Sequence, residues 1–253
     1  METGALTSYF DVAQLVLYMF WIFFAGLIYY LVRENHREGY PLEKEEGRSS
    51  AVTGWPIPGP KTFKLAHGGE AVVPNAPSTR PLMAEPAHAW AGAPLVPTGA
   101  NPMLDGVGPG SWVERADVPD MDFEGAVKIV PLRVATDFRI SDKDADPRGL
   151  PVVGDDGETG GTVVDLWVDK AESLFRYIEV EVTGGARRVL LPMNFARIRK
   201  DRVTVKSILG HQFADVPGTK STDQVTQLEE EKIMAYYGAG TLYAEPSRVD
   251  PLV

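Results

Sequence analysis

Cysteine is absent from the 253-residue chain. That excludes disulfide frameworks, Cys-ligated zinc or iron–sulfur centres, and thiol catalysis. Positive charge is scarce: 25 Lys and Arg against 35 Asp and Glu leave a formal net charge of -10. A nucleic-acid backbone is therefore a poor partner. The four histidines, His36, His67, His88 and His211, sit in different segments with no two at metal-ligand spacing, so each reads as a surface or turn residue. HExxH, GxSxG, P-loop and GxGxxG patterns are all missing. No nucleophile–base or metal constellation remains, so the chain is not expected to be an enzyme. What is abundant is glycine (25) and proline (20), well above the roughly 12% of average usage and a sign of long stretches without regular structure.

One long apolar run stands out. Residues 12–32, VAQLVLYMFWIFFAGLIYYLV, carry no charge and one amide, Gln14. As a helix they would reach about 31 Å, close to the roughly 30 Å hydrocarbon core of a bilayer. Tyr29 and Tyr30 at the far end suit an interfacial belt. A signal peptide would need a positive n-region and a shorter apolar stretch before small residues. Here Glu2 and Asp11 precede the run, without Lys or Arg, and Arg33-Glu34-Asn35-His36-Arg37 follows it. The expectation is an uncleaved transmembrane helix. Arg33, Arg37 and Lys44 on its C-terminal flank place that side in the cytoplasm.

Eleven of the 20 prolines lie between Pro56 and Pro109. WPIPGPK at 55–61 can be neither helix nor central strand. Residues 62–65 and 70–73 could be edge strands or a small hairpin about a His67-Gly68-Gly69 turn. A flexible tether would be poor in apolar residues. This segment instead holds Trp55, Ile57, Phe63, Leu65, Leu82, Met83, Trp90, Leu95, Met103, Leu104 and Trp112 at wide spacing. Extended chain laid over a surface fits better, and that surface could belong to the C-terminal domain or to a partner.

From about Asp117 the pattern turns to strands. Residues 126–130 are short and β-rich. Residues 161–169 alternate, with Val164, Leu166 and Val168 on one face and Asp165, Trp167 and Asp169 on the other. Residues 177–182 alternate too, with Ile178, Val180 and Val182 inward, and Gly184-Gly185 turns the chain into 188–191. Residues 195–199 and 203–208 form another hairpin about Lys200-Asp201. Five or six short, mostly antiparallel strands imply a small barrel or sandwich. One helix follows Thr226, with a capping box to Glu229, a stripe of Leu228, Ile233, Met234 and Tyr237, and Gly238 or Gly240 to end it. The tail at 245–253 reads as frayed.

Asp142, Asp144 and Asp146 suggest a calcium loop, but Pro147 and Val153 stand where an EF-hand needs Gly and Glu, so an Asp-rich turn is preferred. Asp165, Asp169, Glu172, Arg176, Glu179 and Glu181 crowd one strand, its turn and the next strand. Clustered carboxylates can raise one another's pKa values and pass protons, although pattern alone favours a solvated sheet face.

Several stretches in order carry a resemblance. They are Phe20-Trp21-Ile22-Phe23, Arg37-Glu38-Gly39-Tyr40-Pro41-Leu42, Pro60-Lys61-Thr62-Phe63, Pro97-Thr98-Gly99, Gly106-Val107-Gly108-Pro109, Gly149-Leu150-Pro151-Val152 and Val164-Asp165-Leu166-Trp167-Val168-Asp169. Together they span nearly the whole chain, which resembles the H-subunit family of the photosynthetic reaction centres of purple bacteria. The resemblance implies a single N-terminal transmembrane helix, N-terminus periplasmic, in the intracytoplasmic photosynthetic membrane. It also implies a cytoplasmic, mainly-β, PRC-barrel-like domain (a small antiparallel barrel) with one C-terminal helix. The expected divisions are a tail at 1–11, the helix at 12–32, a surface-laid segment at 33–116, the barrel-like domain at 117–245 and a tail at 246–253. The chain would bind no cofactor of its own. The partner L and M subunits would hold bacteriochlorophyll, bacteriopheophytin, quinones and non-haem iron. Light-harvesting complex 1, a cytochrome subunit and lipids are further candidate partners.

Such a subunit caps L and M, shields the quinone side and assists proton delivery to the secondary quinone, QB. By resemblance Glu172 matches the family glutamate approaching QB, Arg176 a nearby arginine, and Asp169 lies on the same approach. Asp122 matches the acidic residue at the cytoplasmic proton entrance. In the best-known members two histidines flank a glycine just after it, whereas here Glu124 and Ala126 flank Gly125. Glu124 could replace one acceptor, or protons could enter elsewhere. The apolar anchors would lie along L and M, so a soluble fragment beginning near Arg33 is expected to leave residues 45–110 poorly ordered. The alternative is a membrane-tethered β-barrel adaptor of another membrane complex.

Overall fold

The computed structural model describes residues 5–7, 10–40, 56–66, 68–74, 81–90 and 93–249. These fall into two compact units, Met1–Arg80 with Trp90–Gly92, and Pro81–Ala89 with Ala93–Val253.

The first unit opens with a short antiparallel pair, β1 (Ala5–Thr7) and β2 (Phe10–Asp11). Helix α1 (Val12–Asn35) follows at once. Asp11 is its N-cap: its carboxylate accepts from the Gln14 N–H at 2.7 Å, and the Gln14 side chain accepts from the Asp11 N–H at 3.3 Å. The helix runs through Arg33, Glu34 and Asn35, past the end of the apolar run, and closes where the His36 N–H donates to the Arg33 carbonyl at 3.2 Å. None of its residues is buried. At about 36 Å by the usual rise, it is long and apolar enough to cross a membrane.

Beyond α1 the chain turns back on itself. His36 is buried and stacks on Tyr40 with ring centroids 4.1 Å apart. Strands β3 (Lys61–Lys64) and β4 (Glu70–Val73) form the expected antiparallel hairpin; His67, in its turn, lies outside the described residues. Arg37 fastens the hairpin to the helix end. Its guanidinium donates to both Glu34 carboxylate oxygens at 2.8 Å and to the carbonyls of Gly59 at 2.7 Å and Val73 at 2.9 Å. A planar fork with five donors can satisfy all four acceptors at once.

The second unit begins with an unforeseen antiparallel pair, β5 (Ala84–Pro86) and β6 (Leu95–Pro97). Two 3₁₀ turns, Pro102–Leu104 and Gly108–Gly110, then carry the chain to a seven-stranded mixed sheet. Its strands are β7 (Ile129–Pro131), β8 (Pro151–Val153), β9 (Thr159–Asp169), β10 (Leu174–Val182), β11 (Arg188–Pro192), β12 (Ala196–Ile198) and β13 (Val203–Val205). The order is β11-β10-β9-β8-β13-β12, with β7 also on β9 and one parallel pair, β13 with β8. Strand β9 is long enough to pair with β8 near its start and β7 near its end, with β10 along its other edge. The β9–β10 register slips twice; such irregularities bend a strand pair, and the sheet curls into a half-barrel.

Helix α2 (Gln227–Tyr243) packs on this sheet. Thr226 caps it as expected: the Glu229 N–H donates to the threonine hydroxyl at 3.1 Å, and the Thr226 N–H to the Glu229 carboxylate at 2.8 Å. The stripe differs from expectation. Met234 is exposed and Leu228 half-buried, while Ile233, Tyr236, Tyr237 and Ala239 are buried. The helix also continues through Gly238 and Gly240. These glycines serve close approach: a Cβ at 238 would meet the Pro109 carbonyl at 2.6 Å, and one at 240 would overlap the Ser207 carbonyl.

Residues 101–110 pack within the second unit. Met103 and Val107 are buried, and Gly110 sits so close that a Cβ would come within 2.8 Å of the Ala239 Cβ. Lys232 lies 4.9 Å from the centre of the Trp112 ring. These anchors therefore rest on the domain's own helix. The tail is tied down to residue 249 as well: Arg248 donates to the Ser207 and Gly240 carbonyls, each at 2.9 Å.

The two-faced reading of β9 also needs correcting. Asp165, Trp167 and Asp169 are buried at 5%, 1% and 0% exposure, and Val164 is only half-buried. On the face that alternation assigned to solvent, Arg133 reaches Asp165 and Lys128 reaches Asp169, while Trp167 and the segment at 219–222 line one cleft.

Candidate functional site

The four-residue turn from β9 to β10 is built on Asp169. The N–H groups of Ala171 and Glu172 both donate to its Oδ1 at 3.1 Å, closing a tight Asx-type turn. Ser173 completes it with φ 54°, a left-handed conformation that non-glycine residues seldom adopt. The turn leaves Glu172 exposed at the tip while Asp169 is fully buried.

A second short hairpin, residues 120–128, lies alongside. The Lys128 N–H donates to the Asp120 carbonyl at 2.9 Å, and the Lys170 N–H to the Lys128 carbonyl at 3.0 Å. This backbone pairing delivers the Lys128 ammonium to three carboxylates: Asp169 at 3.4 Å, Glu172 at 3.6 Å and Asp120 at 3.7 Å. Burial works against the lysine's charge, but Asp169, then Glu172 and Asp120, outweigh it and raise its proton affinity. The second Asp169 oxygen, Oδ2, is buried without a hydrogen bond.

Asp122 holds the tip of the 120–128 hairpin. Its Oδ1 accepts from the N–H groups of Glu124 at 3.0 Å and Ala126 at 2.9 Å, and Gly125 supplies the positive φ. Lys170 approaches its other oxygen at 4.0 Å, which links Asp122 to the β9–β10 turn. Glu124 is exposed at the tip. Arg176 lines a neighbouring cleft of about 560 Å³ together with Arg115, Asp120, Lys128, Tyr177 and Glu230.

The crowd of charges in β9 and β10 therefore divides. Asp169 and Glu172 belong with Lys128 and Asp120. Asp165 and Glu179, directly opposite in the β9–β10 register, form a separate buried pair. Like charges opposite one another destabilise a sheet unless a cation intervenes, and here Arg133 does. Its Nη1 donates to Asp165 at 3.2 Å and to Glu179 at 2.5 Å. Trp167 Nε1 and Arg188 Nη1 also donate to Glu179, at 3.0 and 3.1 Å. Glu181 is exposed and stands apart.

Sequence reasoning passed over Lys128, Asp120, Arg133, Tyr177 and Glu230. The one available signal was Lys128, a lone cation inside the apolar run AVKIV. The Asp-rich segment is a turn, as expected: the Asp144 N–H donates to the Ser141 carbonyl at 2.9 Å, and Asp146 pairs with Arg148 at 2.5 Å. Among the described residues no His, Asp and Glu group is arranged to hold a metal ion.

One span-length apolar helix, a curled mixed sheet closed by a C-terminal helix, and buried carboxylates held by lysine and arginine define a membrane-anchored protein built on a half-barrel domain. The family model for the N-terminal region of the photosynthetic reaction centre H chain matches residues 4–134, and the model for the PRC-barrel domain matches residues 140–212. The chain belongs to the H-subunit family of bacterial photosynthetic reaction centres.

Proposed function

We propose that this chain caps the L and M subunits of a photosynthetic reaction centre on the cytoplasmic side. In that position it stabilises the complex, shields the quinone sites from bulk water and assists proton delivery to QB. The observation that carries this reading is the pair of family matches, which run in order across residues 4–134 and 140–212. The N-terminus faces the periplasm, because basic residues flank only the C-terminal side of α1. The chain is a non-catalytic subunit, with pigments, quinones and iron held by L and M. Light-harvesting complex 1, a cytochrome subunit and lipids are further neighbours in the membrane.

A quinone becomes a quinol by taking up two protons with two electrons, and this chain's contribution is to hold and move protons on the way. Glu172 is the exposed carboxylate that exchanges them, at a height fixed by the Asp169 turn. Asp169 and Lys128 keep that turn in one geometry and balance its charge. Asp122 and Glu124 are outer acceptors on the adjacent hairpin, and Arg176 balances negative charge in the neighbouring cleft that it lines with Asp120 and Glu230. Excluding bulk water strengthens each of these electrostatic interactions.

Purification through this chain in mild detergent, followed by a near-infrared spectrum, tests the assignment. Stoichiometric bacteriochlorophyll and bacteriopheophytin bands that bleach in light are expected. A colourless but otherwise intact complex from pigmented membranes would leave only a tethered adaptor. Within the pigmented complex, Glu172→Gln should slow transfer of the second electron to QB several-fold while sparing charge separation. An unchanged rate across the neutral range would remove Glu172 from the path.

A further inference from the structure

We propose that the outward face of the β12–β13 hairpin, residues 196–206, is a docking face for the phosphate headgroups of an acidic lipid leaflet. The proposal stands apart from the proton-delivery reading and uses none of its residues.

The hairpin departs from the charge of the chain around it. Arg197, Arg199, Lys200, Arg202 and Lys206 are set against one carboxylate, Asp201, a net charge of +4 within a chain whose total is -10. Strand alternation sorts these residues by face. Val203 and Val205 are buried, and Ala196 and Ile198 are half-buried, so that face packs on the core of the domain. Arg197, Arg199, Arg202 and Lys206 are exposed on the other face, with Lys200 at the tip.

Pairing of the two strands brings like charges together. The Arg199 N–H donates to the Arg202 carbonyl at 2.8 Å, so these two arginines stand opposite each other just beyond the Ile198–Val203 pair. Facing like charges destabilise a strand pair, and an anion laid over them removes that cost. The chain itself supplies little negative charge here. Arg202 donates to Asp201 at 2.7 Å, an exposed pair that water screens. Among the described residues, the side chains of Arg197, Arg199, Lys200 and Lys206 make no hydrogen bond or ion pair.

Protection of a sheet edge explains only part of the pattern. Lys and Arg on an edge strand discourage pairing with another chain, and β12 is such a strand. Strand β13 lies between β8 and β12, yet Arg202 and Lys206 flank it on the same face.

Phosphate is the anion that this arrangement fits, because guanidinium groups bind phosphate oxygens through paired N–H donors. A bilayer is also at hand. Helix α1 of the same chain is long and apolar enough to cross one, and a tether holds the headgroups at high effective concentration. Each Lys or Arg near an acidic leaflet adds about fivefold to the affinity.

The test uses the whole complex purified through this chain, in nanodiscs of phosphatidylcholine alone or with an equal share of phosphatidylglycerol. An uncharged acylating reagent labels the lysines. Lys200 and Lys206 are read against Lys143, an exposed lysine of the Asp-rich turn. In the acidic discs the two hairpin lysines should be labelled about fivefold more slowly than in the neutral discs, and molar salt should remove the difference. Arg199→Gln combined with Arg202→Gln should remove most of the protection. Protection that this double variant retains would overturn the proposal. So would equal labelling in the two lipids; if both are slow and salt leaves them slow, an acidic protein surface covers the hairpin instead. Should the variant fold poorly, the comparison of the two lipids on the unaltered chain decides alone.

Discussion

Replacing Arg133 by Ala would leave Asp165 and Glu179 facing each other across β9 and β10 at 5% and 3% exposure. Removing one partner of a buried ion pair usually costs about 3–5 kcal/mol. Two observations reduce that figure here. The Arg133 side chain is itself 33% exposed, so water already screens part of its field, and Arg188 stays 3.1 Å from Glu179. A loss of about 2–3 kcal/mol is expected, and for a chain of this size that lowers Tm by about 4–12 °C. The decisive comparison is a double-mutant cycle with Glu179→Gln, which keeps an acceptor for the Trp167 indole but removes the charge. Stability would be measured by equilibrium urea unfolding of the full-length chain in mild detergent, read from the near-ultraviolet signal of the buried Trp167. In the Glu179→Gln background, Arg133→Ala should cost less than half as much. Equal losses in both backgrounds, within about 0.5 kcal/mol, would show that Arg133 acts by packing and not by charge, and the account of this pair would fall.

Three further outcomes are expected. Gly240→Ala raises helix propensity by about 1 kcal/mol but drives a Cβ into the Ser207 carbonyl; overpacking of about 1–3 kcal/mol should prevail, and a more stable variant would refute the close-approach account of α2. Lys220, then the Thr226 hydroxyl, hold the Asp117 carboxyl below its ordinary 3.8, so its contribution to stability is full above that value and fades as pH falls beneath it. Asp117→Asn should therefore lower Tm at neutral pH and converge with the parent in acid; a constant gap would contradict this. In the chain stripped of its partners, the amide of Gly110, which donates to the Val107 carbonyl within its own 3₁₀ turn, should exchange hydrogen slowly because the residue is buried against Ala239 of α2. Exchange as fast as in an open chain would show that partners, not α2, order residues 101–112.

The sequence alone determined the features that depend on order along the chain. A charge-free run of bilayer length, bounded by Asp11 and Arg33, is one-dimensional information, and so is the Thr226–Glu229 capping box. Strand positions in β9 to β11 followed from period-two alternation and the Gly184-Gly185 turn. Alternation misled at Asp165, Trp167 and Asp169, because it identifies two faces and not what covers the second one.

Only the tertiary structure decided which charges meet. Arg133 reaches Glu179 across 46 residues of sequence, and Tyr177 reaches Glu230 across 53. Such partners are chosen by sheet curvature and helix docking, which leave no periodic trace. Sequence proximity put Asp165, Asp169, Glu172 and Glu179 in one crowd. Folding separated them into two pairs, Asp165 with Glu179 about Arg133 and Asp169 with Glu172 about Lys128, because carboxylates taken from water need a cation or donors and these two cations stand at opposite ends of β7.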